Sequence, residues 1–132
     1  MTPRQRLDEA AAAVMAQIKQ RRHHTGNGYT PKPMGLPVVC AAVAKRAGLY
    51  VDFDDLRYNH HDADTVRLRV YEGGRTDRPF AVLVARRGDD RRPVSLSVDE
   101  VRANDTAAMS RGGRIGPDNA ATWLKADMFA AW

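Results

Sequence analysis

Apolar positions recur near the start of the chain at helical spacing. Leu7, Ala11, Val14 and Ile18 follow one another at four, three and four residues, while Gln5, Asp8, Glu9, Gln17 and Lys19 occupy other faces. Thr2 can cap such a helix, Pro3 suits its first position, and Gln5 completes a capping box. The pattern predicts a helix over 3–22. Lys19, Arg21, Arg22, His23 and His24 sit at the end of the helix dipole that favours positive charge. Residues 25–35 contain three Gly and two Pro and predict an irregular wrapping loop. A second stripe, Leu36, Val39, Val43 and Ala47, predicts another helix. Pro37 lies near its start, Gly48 follows its end, and Cys40 lies on its flank.

The period then changes. Leu49 to Tyr58 fits either a strand through Val51 and Phe53 or a short helix over Asp54 to Tyr58. Val66, Leu68 and Val70 alternate with Thr65, Arg67, Arg69 and Tyr71, which predicts a half-buried strand with the latter set facing water. Phe80 to Ala85 is more continuously apolar and predicts a central strand. Val94, Leu96 and Val98 alternate with Ser95 and Ser97. Three strands so closely joined predict an antiparallel meander with one wet face. Residues 103–117 are rich in glycine and read as a loop. Asn119 to Trp132 reads as a closing helix capped by Asp118 or Asn119, with Leu124, Met128 and Trp132 as its stripe. The expected fold is α+β: N-terminal helices and a C-terminal helix packed on a three- or four-stranded antiparallel sheet, in one compact domain over 1–132.

Composition narrows this picture. A chain of 132 residues excludes a large multidomain enzyme. Twenty residues are Ala, so the core is modest for the length. Seventeen Arg stand against four Lys, and thirteen Asp against three Glu, giving a net charge of +5. Guanidinium groups suit phosphate and carboxylate partners. The single Cys40 allows neither an intrachain disulfide nor a cysteine-based zinc site. No stretch is apolar enough to span a membrane, and the first residues have no signal-type apolar core. A cytoplasmic location is therefore expected.

Two segments are dense in chemistry. His60, His61, Asp62 and Asp64 offer imidazole and carboxylate ligands for a divalent ion, with His23 and His24 as a second pair. A bound ion there would activate water for phosphodiester hydrolysis. The same residues suit a polar turn leading into the strand, and continued alternation would put His60, Asp62 and Asp64 on the buried parity of Val66. Ser110 to Gly116 combines a flexible backbone with Arg111 and Arg114, which could cradle an anion. It lacks the spacing of a nucleotide-binding loop.

Val43-Ala44-Lys45-Arg46-Ala47-Gly48-Leu49 resembles the first helix and turn of bacterial helix-turn-helix repressors of the lac-repressor type. The resemblance implies a following helix, Tyr50 to Leu56, in the DNA major groove. Asp52, Asp54 and Asp55 would there repel phosphate, so the repressor function is not carried over.

The remaining basic charge lies in Arg67 and Arg69, beside Tyr71, and in doublets: Arg21-Arg22, Arg86-Arg87 and Arg91-Arg92. A small interaction protein, rather than an enzyme, is the expected class. It would bind an anionic protein surface or nucleic acid through Arg67, Arg69, Tyr71, Arg86, Arg87, Arg91, Arg92, Arg111 and Arg114. It would need no cofactor, and it would act as a homo-oligomer or assembly component, of a kind found in viruses and mobile elements. The alternative is the metal-dependent hydrolase centred on residues 60–64.

Overall fold

The predicted capping box forms. The Thr2 hydroxyl accepts the Gln5 N–H at 3.1 Å, and the Gln5 side-chain carbonyl accepts the Thr2 N–H at 2.8 Å. This opens helix α1, Pro3–His24, in a computed structural model that describes residues 1–24, 36–52, 65–73, 78–87, 94–107 and 113–120. Leu7, Ala10, Ala11 and Val14 are its buried stripe. Helix α2, Leu36–Ala47, buries Val39, Cys40 and Val43 completely. It ends as predicted at Gly48, whose φ of 66° is costly for a residue with a Cβ. The N–H groups of Gly48 and Leu49 both return to the Ala44 carbonyl, at 2.9 and 3.1 Å.

Five strands follow: β1 (Tyr50–Asp52), β2 (Thr65–Tyr71), β3 (Ala81–Arg87), β4 (Val94–Asp99) and β5 (Arg114–Ile115). A short helix α3, Ala103–Ala107, lies between the last two. The strands form one sheet in the order β4-β3-β2-β1-β5, and every neighbouring pair is antiparallel. The fold class is α+β as expected, with five strands instead of three or four. The additions are β1 and β5, which extend the predicted meander β2-β3-β4 on its far side.

Register separates the two faces. Leu68 pairs with Leu83, which pairs with Val98, and Val51 pairs with Val70 and Ile115. These residues share the face covered by α1 and α2, and the core lies between. Arg67, Arg69, Tyr71, Val82, Val84, Ser97 and Asp99 share the other face.

Two expectations change, and one open reading is decided. The stretch 103–117 contains α3 and β5 instead of being loop throughout; both are too short to show a period. Tyr50–Asp52 is a strand, so the repressor-like turn at Gly48 leads into a sheet and not into a recognition helix. The second sheet face is not wet throughout, since Val82 and Val84 on it are buried, as are Arg69 and Tyr71. A helical turn runs from Gly116 to Ala120, whose N–H donates to the Gly116 carbonyl at 2.9 Å. The predicted wrapping loop at 25–35 and the closing helix beyond 120 lie outside the described residues, as does the alternative short helix at 54–58. No helix among the described residues is long and apolar enough to cross a membrane.

Leu83 is fully buried on a central strand. Leu83→Ala is expected to lower the free energy of unfolding by about 2–5 kcal/mol, read as an earlier midpoint in urea with an unchanged slope.

Candidate anion-binding face

Two arginine systems organise the second face. The first begins at Arg69. Strand β1 runs beside β2 with Val51 opposite Val70, so the next step places Asp52 beside Arg69. Their side chains pair at 3.2 Å and are only 0% and 5% exposed. The Tyr71 hydroxyl donates to the same Asp52 oxygen at 3.3 Å. Arg114, brought in by β5 opposite Asp52, lies over the Tyr71 ring at 3.5 Å from its centroid. It also donates to the Gly73 carbonyl at 2.6 Å. Gly116 then passes under the Tyr50 ring, where a Cβ would lie 2.1 Å from a ring carbon. Only glycine allows this approach. The Tyr50 hydroxyl donates to Asp118 at 3.1 Å, and that carboxylate raises the tyrosine pKa.

The second system centres on Arg67, which stays half-buried. Its guanidinium grips Asp105 in two places, at 3.2 and 2.8 Å, and reaches Asp99 at 2.6 Å. Asp105 is the third residue of α3. It also accepts the Arg102 N–H at 2.7 Å, so one carboxylate closes the helix start and neutralises Arg67. Asp99 accepts its neighbour Glu100 N–H at 2.8 Å and a guanidinium contact from Arg102 at 3.1 Å. Arg67 holds both carboxylates below their ordinary pKa, and Asp105 in turn raises that of Arg67.

Beside this cluster lies a shallow depression of about 370 Å³, lined by Thr65, Arg67, Arg86, Ser97, Asp99 and Arg102. Arg86 is exposed and has no hydrogen-bond or ion-pair partner among the described residues. The Arg102 side chain is 67% exposed. Hydroxyl groups from Thr65 and Ser97 and two accessible guanidinium groups can receive a carboxylate or phosphate.

The proposed binding residues therefore divide. Arg67 and Arg86 line one depression, Arg67 with its charge already matched. Arg69, Tyr71 and Arg114 form a separate internal network, and Arg69 and Tyr71 do not face water as their strand parity predicted. Arg87 ends β3 opposite Val94. Arg91, Arg92 and Arg111 lie outside the described residues, as do His60, His61, Asp62 and Asp64. The described residues contain no group of three or more metal-ligating side chains. Cys40 is buried, which pushes its thiol up to about 12 and leaves it unreactive.

Asp105 and Arg102 were missed as parts of this face. Asp105 three residues after Arg102 is the available signal, because that spacing suits a helix start. Asp52, within the otherwise apolar Leu49–Phe53, signals a buried counter-charge. No protein-family model, curated protein or solved structure matches the chain.

Two outcomes follow from the pairing. Asp52→Ala leaves Arg69 buried without its counter-ion and is expected to destabilise the fold by about 3–5 kcal/mol. Asp52→Ala combined with Arg69→Met should cost less than the sum of the single changes, measured by urea unfolding. The hydrogen bonds from Arg67 hold Asp99 and Asp105 below the ordinary aspartate pKa in the folded state. Their contribution is complete above the ordinary aspartate pKa of the unfolded chain and is lost as pH falls through the lower folded values. Arg67→Met should accordingly flatten the acid limb of stability against pH.

Proposed function

We propose that the protein is a small basic interaction protein that docks an acidic surface of another protein at the Arg86–Arg102 depression. The observation that carries this reading is Arg86: it is exposed, it is unpaired among the described residues, and it stands beside two hydroxyl groups on a sheet face. Asp99 and Asp105 are opposed by Arg67 and Arg102 together, which leaves Arg86 as the net positive charge of the group.

Nucleic acid is the second anionic partner to weigh. Single strands are usually held by base stacking on accessible aromatic rings. Tyr71, the aromatic residue proposed for that role, is buried beneath Arg114. This favours a carboxylate-bearing surface, for which guanidinium forks and hydroxyls suffice.

The test is a titration of the full chain with an acidic peptide and, separately, with a single-stranded oligonucleotide, each over a range of salt. Binding of the peptide is expected, weakening as salt rises. Arg86→Ala should weaken it about tenfold, the effect of one lost charge-assisted hydrogen bond. Peptide binding that ignores Arg86→Ala overturns the assignment. Tighter binding of the oligonucleotide, with a steep negative slope of log affinity against log salt, replaces the protein partner by nucleic acid.

A further inference from the structure

Strand β4 ends the sheet, with β3 on one side and no strand on the other among the described residues. The Leu96 N–H donates to the Met15 sulfur at 3.1 Å, on the α1 side of the strand. Antiparallel alternation then turns the peptide groups of Val94, Leu96 and Val98 toward the open edge, and those of Ser95, Ser97 and Asp99 toward β3.

The sequence of this edge is a palindrome about Leu96: Val94-Ser95-Leu96-Ser97-Val98. Its flanks are not symmetric in charge. Arg86 and Arg87 of β3 lie beside the start of β4, and Arg91 and Arg92 precede it in the sequence. Asp99 ends the strand and Glu100 follows. A copy running antiparallel would therefore set a basic start against an acidic end at both extremities.

A groove of about 420 Å³ lies along the same strand, between Leu96, Ser97 and Val98 of β4 and the α1 residues Ala11, Ala12, Met15 and Ala16, with Asp8 also on its wall. The small alanine side chains leave room there for apolar side chains from an added strand.

We propose that a second copy of this chain adds its β4 to this edge, antiparallel and centred on Leu96, joining two five-stranded sheets into one. Val94 of each copy pairs with Val98 of the other, and Leu96 pairs with its own counterpart. A two-fold axis normal to the sheet keeps the apolar sides together, so the part-exposed Val98 of one copy meets the groove of the other, while Leu96 stays in its own core. The thioether of Met15 is a weak acceptor, and Leu96 N–H exchanges it for a carbonyl. Glu100 exchanges its exposed contact with Arg4, at 2.9 Å, for the basic end of the partner. Ser97 and Val98 border both the groove and the arginine depression, so the two surfaces adjoin, but self-association is read by sedimentation and partner binding by titration, and each can fail without the other.

Sedimentation equilibrium of the full chain is the test. A dimer is expected. Val98→Pro should weaken it by about tenfold or more, because symmetry removes two inter-strand hydrogen bonds. Its circular dichroism should remain that of the parent. Met15→Leu, which removes the competing acceptor at similar volume, should tighten the dimer. Glu100→Arg and the double change Arg91→Glu, Arg92→Glu should each weaken it, and an equimolar mixture of those two variants should restore it. The mixture reads the charge match even if Val98→Pro fails to fold. A parent that stays monomeric up to about 1 mM, or a dimer unchanged by both charge reversals, overturns the proposal.

Discussion

The ion pair between Asp52 and Arg69 determines where half of the sheet can lie. A guanidinium that is 5% exposed cannot remain without a counter-charge, because the desolvation cost is several kcal/mol per ion. The charge comes from a strand of three residues that has little apolar area of its own. Asp52 ties β1 to β2, and β1 in turn gives β5 a partner. Arg114 then arrives over Tyr71, and Gly116 closes against Tyr50. The far edge of the sheet is thus assembled around one buried carboxylate, not around a long apolar strand. Arg67 does the corresponding work at the opposite side. It draws in Asp99 from β4 and Asp105 from α3, and so positions a helix too short to be stable alone.

This arrangement changes what the positive charge means. A net charge of +5 suggests a surface open to anions. Arg69 and Arg114 are instead structural, and Arg67 is shared between two carboxylates. What remains accessible on the described sheet face is Arg86 and the outer part of Arg102. A binding surface of two guanidiniums and two hydroxyls is narrow. It suits recognition of a small number of carboxylates more than continuous tracking of a phosphate backbone, whose affinity grows with the number of charges neutralised.

The elements that the sequence made legible are those long enough to repeat a period. α1, α2 and β2 to β4 each carry three or more apolar positions on one face, and the cap at Thr2 and the stop at Gly48 are chemical signals with one local meaning. β5 has two residues and α3 has five, so neither can display an alternation or a stripe. The candidate face was half legible. Alternation placed Arg67 and Arg69 on one side of β2 correctly. It could not show that this side is closed over Arg69, because burial of an arginine depends on a carboxylate from a strand paired through long-range register. Asp52 was visible as an acid among apolar residues, but its partner was not. Arg86, on the same face, appeared only as half of a doublet.

The alanine content bears on the edge of the sheet as well as on the core. Ala11, Ala12 and Ala16 let α1 sit close to the sheet, yet they cover little of β4 beneath it. Edge strands are commonly protected by charge, proline or a bulge. Here Pro93 precedes the strand and Met15 takes one of its outward N–H groups, while Val94 and Val98 bracket that point with further outward peptide groups. A thioether is flexible and binds N–H weakly, so it shields the edge without committing it. A carbonyl from a strand of matching pattern competes with it on favourable terms. A second β4 is such a strand, since its palindrome sets each residue against an identical one in an antiparallel copy and its basic start against an acidic end. Thin cover from α1, a replaceable sulfur contact and a self-complementary strand occur at the same place in the fold, and together they favour a second copy over an unrelated strand.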